Sequence, residues 1–357
     1  MWPYLFLFLV PAFMAVRRKK RLFPLLQSQW STEFWLFWIF VVLFIGFRHE
    51  VGADWFSYLR YLDDANQLNF WEIFALGDPG YIALNWFSNE WHFGIVGVNL
   101  ISGAIFVTGL VVFCRTLQRP WLALTIAVPY LVIVVGMGYT RQAAAIGLIM
   151  TGFASLQRGS FWRYIVFVLF AATFHKTAVV MAPFAIIAVN HGRTIQLIIV
   201  GMTLFLGFIG FLSESIDDFQ KAYFDASLSS SGTLIRLIMS AAPAIIFMGA
   251  KNFFNLNLIQ KKLWTWVSLS VLLTLLFYFL SDSSTAVDRL ALYFIPIQLL
   301  VFSSLPDALH NRFGFKRIYL TLIIIIYYAI ILLLWMFFAS HANSWIPYRI
   351  EYFTLIW

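Results

Sequence analysis

The chain has 357 residues, of which 62% are hydrophobic, 19% aromatic and only 11% charged, and its mean hydropathy is +0.83. This composition excludes a soluble globular domain and is typical of a polytopic helical membrane protein, whose apolar runs are bounded by charges. The net charge of +8 indicates basic loops on one membrane face rather than a nucleic-acid partner, and the single cysteine excludes an intrachain disulfide.

The apolar runs predict about ten membrane-spanning helices in an all-α protein, with one integral membrane domain over residues 1–357. The first run has no basic residues before it and is followed by RRKKR, so we expect a retained helix rather than a cleaved signal peptide. The predicted crossings are 2–16, 33–47, 93–113, 120–137, 141–157, 194–213, 234–250, 263–281, 289–305 and 318–339.

A further apolar segment, 161–190, contains His175 and Lys176 and predicts a membrane hairpin of two short helices. Each arm of about 12 residues would reach about 18 Å, whereas the hydrocarbon core is about 30 Å thick. The turn would therefore stop inside the membrane, where irregular backbone is tolerated only within protein or beside water. We expect His175 and Lys176 to face a water-filled cavity that opens to the outer side.

The distribution of charge along the chain predicts the orientation in the membrane. With the hairpin returning to the cytoplasm, the predicted inner loops carry sixteen of the 24 Lys and Arg residues. Only two of the 16 acidic residues lie on that side, Asp307 in an inner loop and Glu33 at the first position of the crossing 33–47. Because cytoplasmic loops are enriched in Lys and Arg, this asymmetry predicts that both termini lie on the outer side.

The outer side has three longer segments, 48–92, 213–233 and 340–357. In the first, Asp54, Tyr58 and Tyr61 are spaced i, i+4 and i+7, and they would share one face of an amphipathic helix. An alternative is that this helix only lies at the membrane interface, with its aromatic residues at headgroup depth. The tetrapeptide DPGY predicts a turn that starts the next helix.

Five arginines are predicted at or just beyond outer helix ends, namely Arg48, Arg141, Arg236, Arg289 and Arg349. Guanidinium groups bind phosphate bidentately and stay charged at any working pH, so a convergent set suits a diphosphate. The alternative is that each one reaches the headgroups or pairs locally, as Arg289 could with Asp288.

The histidine of the hairpin tip is a candidate general base. Its titration range suits proton transfer, and the adjacent Lys176 would lower the pKa of His175 by like-charge repulsion. The alternative is a histidine that simply packs in the core. The sequence contains no nucleotide-binding glycine loop, zinc motif or nucleophile elbow, and we expect neither a metal nor a cofactor.

Several of these stretches form an ordered set of motifs, RHEVGADW, DPGY, YTRQAAA, FHKTA, the isolated Arg236 and WIPYR, between about residues 46 and 349. The set resembles the EpsG family of Wzy-like polysaccharide polymerases. The resemblance implies a GT-C-type glycosyltransferase of the bacterial plasma membrane with an outward-facing cavity. Such an enzyme would join oligosaccharide repeat units carried on undecaprenyl diphosphate at the outer leaflet, for capsule, exopolysaccharide or O-antigen synthesis.

Residue roles follow from the motifs together with the resemblance. The expected catalytic residues are His175 and Asp54. The expected diphosphate-binding residues are Arg48, Arg141, Arg236, Arg289, Arg349 and Lys176, and the expected sugar-binding residues are Tyr58, Tyr61, Asp78, Tyr81 and Gln142.

Two other functions stay open at this point. One is an enzyme that adds a single sugar, or ligates finished glycan, to an outer-leaflet acceptor. The other is a flippase or transporter of lipid-linked sugars, although such proteins usually contain internal repeats, and none is evident here. The expected partners are undecaprenyl-diphosphate-linked oligosaccharides, membrane lipids, and a chain-length regulator and flippase of the same pathway, but not nucleic acid.

Overall fold

The computed structural model describes residues 1–18, 29–69, 71–75, 78–188, 193–212, 232–280 and 284–350. The described residues are all-helical, with 82% of them in helix, and they contain no β-strand. The all-α class predicted from composition is therefore confirmed. The predicted outer loop 213–233 lies outside the described residues except for its last two positions.

Fourteen α-helices make up most of the described chain. They are α1 (Trp2–Arg17), α2 (Thr32–Gly46), α3 (Trp55–Ala65), α4 (Pro79–Glu90), α5 (Gly94–Cys114), α6 (Pro120–Ala127), α7 (Thr140–Leu156), α8 (Phe161–Phe174), α9 (Arg193–Leu212), α10 (Thr233–Ala250), α11 (Leu258–Leu280), α12 (Ser284–Ala291), α13 (Pro296–Phe313) and α14 (Arg317–Phe338). Helix α6 continues through a π-helical stretch, Val128–Val135, to Gly138, and 3₁₀ segments cover Glu72–Ala75, Lys176–Ala188, Leu292–Phe294 and Ala342–Ser344.

The described chain has six helical stretches that are long and apolar enough to cross a membrane. They are Gly94–Cys114, Pro120–Gly138, Thr233–Ala250, Leu258–Leu280, Val287–Phe313 and Arg317–Phe338. Shorter apolar helices accompany them at Trp2–Arg17, Thr32–Gly46, Phe161–Phe174, Lys176–Ala188 and Thr194–Phe205. These helices identify a membrane protein, and six of the ten predicted crossings meet the length and composition of a full span.

The helix bundle is tightly packed where α5 crosses α7. A Cβ atom on Gly109 would lie 1.8 Å from the carbonyl oxygen of Gly147, so only glycine permits this approach of the two backbones. The span Pro120–Gly138 is 94% buried inside the protein, whereas Arg317–Phe338 is 28% buried. The first is therefore central to the bundle, and the second is peripheral.

The described part of the predicted hairpin, residues 161–188, folds back on itself at His175. Helix α8 ends at Phe174, His175 is extended, and the chain returns as a 3₁₀ helix instead of a second α-helix. Pro183 lies inside this returning arm, where it has no N–H to donate and disfavours an α-helix. The two arms are joined by a hydrogen bond from the Tyr164 hydroxyl to the Met181 carbonyl oxygen, at 2.6 Å.

Candidate functional site

The Asp78 carboxylate joins three segments that are far apart in the sequence. It stands at the start of α4, where its Oδ2 accepts a hydrogen bond from Nη1 of Arg141 in α7, at 2.8 Å. Its Oδ1 accepts the backbone N–H of Lys176, at 3.0 Å. Nδ1 of His175 lies 3.7 Å from Oδ2, beyond hydrogen-bond distance but within electrostatic reach. The outer segment, α7 and the hairpin tip therefore meet at one carboxylate.

The Asp78 and His175 side chains are both nearly enclosed by protein. Each residue is 7% exposed, and among the described residues neither ring nitrogen of His175 has a hydrogen-bond partner. Burial by itself raises the pKa of Asp78, but the contacts with His175 and Arg141 outweigh burial and hold that pKa below its ordinary value. Asp78 is therefore a carboxylate anion, and it lies beside an imidazole that has hydrogen-bonding capacity to spare.

A glycine lets α4 approach the hairpin. A Cβ atom on Gly80 would lie 2.4 Å from Oγ1 of Thr173, in the last turn of α8. Any larger residue would push α4 away from the hairpin tip and lengthen the contacts of Asp78. The DPGY motif thus contributes a carboxylate, a helix start at Pro79 and a close approach in three consecutive positions.

Three tyrosines surround Arg141. Its guanidinium carbon lies 4.5 Å from the ring centroid of Tyr61 and 5.9 Å from that of Tyr81, and the Tyr58 and Tyr81 centroids are 5.9 Å apart. Tyr58 is 5% exposed and Tyr81 is fully buried, whereas Tyr61 is partly exposed. Tyr58 and Tyr81 therefore pack beside the arginine with little exposed ring surface, and their role in sugar binding stays a prediction.

Asp54 and Arg289 flank this group. Gln142 of α7 donates its Nε2–H to the carbonyl oxygen of Arg289 at 2.6 Å, which ties the end of α12 to the start of α7. Asp54 is partly exposed just before α3. Burial raises the pKa of Asp54, and the positive charges of Arg289 and Arg141 oppose that rise only in part.

Arg236 forms a second ion pair with an aspartate. Its Nε donates to Oδ1 of Asp288 at 2.6 Å, and its Nη2 donates to Oγ1 of Thr233 at 3.2 Å. Among the described contacts, Asp288 pairs with Arg236, whereas the sequence suggested the adjacent Arg289 as its local partner. Asp288 is 5% exposed and holds α10 against α12.

Arg48 departs from the expected convergence of arginines. It is fully buried, and its Nε, Nη1 and Nη2 donate to the Val51 carbonyl oxygen at 3.3 Å, the Ile45 carbonyl oxygen at 2.6 Å and Oγ1 of Thr140 at 2.8 Å. All three nitrogens are engaged inside the protein. Diphosphate binding by Arg48 stays a prediction, and the contacts that the structure shows for its side chain all serve local structure.

Arg349 also lies apart from the group around Asp78. It is exposed and forms an ion pair with Glu50, and its backbone carbonyl oxygen accepts the N–H of His49 at 3.0 Å. Its described contacts are with the loop that follows α2. The convergence expected for Arg349 is therefore not observed.

Two residues that form contacts at the site, Tyr293 and Thr140, were not identified from the sequence. The Tyr293 hydroxyl lies 3.1 Å from Oγ1 of Thr177 and so fixes the far side of the hairpin tip, and Thr140 bonds Arg48. Thr140 could have been noticed only as the neighbour of Arg141. Within the described ranges, no group of three or more His, Cys, Asp or Glu residues could hold a metal ion.

The arrangement combines a carboxylate anion, an arginine at a helix start and a histidine that has hydrogen-bonding capacity to spare. No curated protein and no solved structure matched the chain. The sequence model of the EpsG family matches residues 33–350, a range that includes every residue of the site. On this match the chain belongs to the EpsG family, the family of Wzy-like polysaccharide polymerases.

Proposed function

We propose that the protein polymerises oligosaccharide repeat units carried on undecaprenyl diphosphate, at the outer leaflet of the bacterial plasma membrane. The observation that carries the proposal is the meeting of Arg141, Asp78 and His175. A cation that can bind a phosphate group and a potential base lie side by side there, as glycosyl transfer from a diphosphate requires.

Arg141 is the main ligand of the diphosphate in this proposal. It lies in the first turn of α7, where the helix dipole and the backbone N–H groups also favour an anion. Its side chain is 26% exposed, so part of the guanidinium is open to a ligand even while Asp78 holds it. Arg289, linked to the same turn through Gln142, adds a second positive charge, and Lys176 adds a third.

His175 is the base in this proposal, and Asp78 orients it. A carboxylate beside Nδ1 favours the tautomer that carries its proton there, which leaves Nε2 able to accept one. The 3.7 Å separation is longer than a hydrogen bond, but such contacts often tighten once substrate binds. Asp54, partly exposed and near Arg141, is the competing base.

The proposed reaction forms one glycosidic bond and breaks one bond to phosphate. The acceptor hydroxyl at the non-reducing end of one lipid-linked unit attacks the anomeric carbon of the growing glycan. The bond from that carbon to the phosphate oxygen breaks, and undecaprenyl diphosphate leaves with the electron pair. His175 takes the proton of the hydroxyl, and Arg141 stabilises the charge on the departing diphosphate.

The membrane topology belongs to the same proposal. We propose ten crossings plus the hairpin in a GT-C-like arrangement, with both termini on the outer side. The charge asymmetry of the loops supports this orientation, since it places Asp78 and His175 at the outer leaflet. Exposed aromatic residues such as Trp71 and Trp91, 79% and 69% exposed, are proposed to contact sugars together with Tyr61. A chain-length regulator and a flippase are the proposed protein partners.

The test uses purified protein in lipid nanodiscs with synthetic undecaprenyl-diphosphate repeat units as the only substrate. We expect the native chain to make a ladder of products that differ by one repeat. His175→Gln, which keeps hydrogen-bonding capacity but is not basic, should lose about 10²- to 10⁴-fold of the rate while still binding undecaprenyl diphosphate.

Three outcomes would contradict the proposal. A single addition without a ladder would indicate a one-step transferase or a ligase, and lipid flipping without any new glycosidic bond would indicate a transporter. A ladder made by His175→Gln at the native rate would remove His175 from its role as the base.

A further inference from the structure

The structure assigns Arg48 a positioning role in the proposed reaction: it holds the start of α7, and therefore Arg141, through Thr140. The inference rests on the proposed function and gives Arg48 a role other than the diphosphate binding predicted from the sequence. Nη2 of Arg48 donates to Oγ1 of Thr140 at 2.8 Å, and Thr140 is the first residue of α7. Arg141 and Gln142 follow it in the same helical turn.

The Arg48 side chain is itself held by two carbonyl oxygens, one at the end of α2 and one in the loop that follows Arg48. Two of its nitrogens donate to the Ile45 and Val51 carbonyl oxygens, at 2.6 and 3.3 Å, so the guanidinium cannot swing away without breaking both bonds. Thr140 is 1% exposed and Arg48 is fully buried, so water cannot easily replace the bond between them. One buried side chain therefore connects the end of α2 rigidly to the start of α7.

The C-terminal segment closes over this connection. Arg48 and Ile350 form an antiparallel backbone bridge, and the N–H of Gly52 donates to the Ser344 carbonyl oxygen at 2.8 Å. The indole N–H of Trp345 donates to the Ile133 carbonyl oxygen, in the π-helical stretch before α7, at 2.9 Å. The terminal segment thus fastens the loop after α2 and the approach to α7 at the same time.

Packing alone does not explain an arginine at position 48, because an apolar side chain would fill a buried position at lower cost. A buried guanidinium is costly, and within the described residues no carboxylate lies within 4 Å of this one. Its neighbours are carbonyl oxygens, a hydroxyl and the ring of Trp55, whose centroid is 5.9 Å away. A planar group with donors in three directions can set the angle between two helix ends, which an apolar residue cannot do.

The test compares Thr140→Val with Thr140→Ser. Valine keeps the shape of threonine but removes the oxygen that accepts the bond from Arg48, whereas serine keeps it. In nanodiscs with synthetic lipid-linked repeats, we expect Thr140→Val to lower kcat between about 10- and 100-fold, because a small displacement of a binding group is costly in rate. Thr140→Ser should stay within about twofold of the native rate.

A double-mutant cycle shows whether the effect passes through Arg141. If it does, adding Thr140→Val to Arg141→Lys should lower kcat far less than Thr140→Val does in the native chain. Independent effects that multiply would overturn the positioning role, as would native kcat in Thr140→Val. If Thr140→Val does not fold, Thr140→Ala is measured in the same cycle, because its smaller side chain cannot clash.

The proposed function is tested separately by the binding of undecaprenyl diphosphate to the native chain and to Arg141→Ala. If the two bind equally well, the diphosphate site itself is wrong. If only Arg141→Ala loses binding while Thr140→Val keeps the native kcat, the site stands and the role of Arg48 falls.

Discussion

Each end of the helix bundle contains a buried aspartate paired with arginine, but the other residues around the pair differ between the two ends. At the far end, defined by Asp307, Arg119 and Arg317, the carboxylate is 2% exposed and accepts a hydrogen bond from Nε of Arg119 at 2.7 Å. Nε of Arg317 lies 2.8 Å from Oδ1 and adds an ion pair. Nη2 of Arg119 also donates to Oδ1, at 3.3 Å, so both carboxylate oxygens are engaged. This group ties together the start of α6, α13 and the start of α14.

At the site end, defined by Asp78, Arg141 and His175, the same kind of pair is left open. The Arg141 side chain is 26% exposed, between the 12% of Arg119 and the 35% of Arg317 at the far end, and within the described ranges the ring nitrogens of His175 have no hydrogen-bond partner. Buried polar groups are normally satisfied, and one that is not needs an explanation. At the far end, Nε and Nη2 of Arg119 both donate to the Asp307 carboxylate, whereas at the site end an imidazole beside the ion pair keeps both ring nitrogens available for a ligand.

The largest expected difference between the two ends comes from removing one arginine at each. Arg141→Ala should lower polymerisation by at least about 100- to 1,000-fold, because the departing diphosphate loses a fixed cation. Single lipid-linked repeats should accumulate, as measured by gel analysis of the lipid-linked products from membranes.

Arg119→Ala is the matched variant at the far end. Asp307 keeps Arg317, so we expect a loss of stability below the about 3 kcal/mol that follows from breaking a whole buried pair. The activity per folded molecule should stay native. Equal losses of activity in Arg141→Ala and Arg119→Ala, after correction for folded protein, would contradict the proposal that only the end with Arg141 takes part in the reaction.

A smaller effect is expected when only the charge of each aspartate is removed. Asp78→Asn keeps an oxygen for the N–H of Lys176 but no longer stabilises an imidazolium at His175, so kcat should fall about 100-fold. Asp307→Asn should instead lower the unfolding temperature, with kcat little changed. The comparison fails if Asp78→Asn reduces the unfolding temperature and leaves kcat intact.

The smallest effect concerns Asp54 and depends on pH. Because burial raises the pKa of Asp54, the folded chain favours its protonated form, and the native protein loses stability as pH rises from an ordinary aspartate value of about 3.9 through the raised one. Asp54→Asn cannot ionise, so its unfolding temperature relative to the native chain should rise across that window and stay constant above it. Intrinsic fluorescence during heating measures this difference.

The same variant distinguishes between the two candidate bases. With His175 as the base, Asp54→Asn should lose less than about tenfold in kcat and keep the acidic limb of the pH–rate profile. If that limb disappears with Asp54→Asn, Asp54 is the base instead.

Much of the helical layout could be predicted, because apolar runs and flanking charges report depth in a membrane directly. The break at His175 falls where a pair of polar residues interrupts an apolar segment, and α7 starts one residue before Arg141. Depth alone does not fix the direction in which a side chain points around its helix. For that reason Arg48 and Arg141, predicted at a similar depth, have quite different surroundings in the folded chain.

The role of Asp78 was harder to foresee for a related reason. The sequence marks DPGY as a turn with a carboxylate, which suits sugar binding as well as ion pairing. Only the fold brings Arg141, 63 positions away, and the amide of Lys176, 98 positions away, to its two oxygens. Such long-range partners leave no trace in local spacing. The 3₁₀ form of the returning arm is likewise decided by packing and by Pro183.

The bond from the backbone N–H of Lys176 to Asp78 affects how easily this site can diverge. Every residue except proline supplies a main-chain N–H, so this anchor of the hairpin tip does not depend on the side chain at position 176. A lysine there can be exchanged for a neutral or acidic residue while that anchor is kept. The side-chain charge at position 176 can therefore change without loss of the bond that holds the turn.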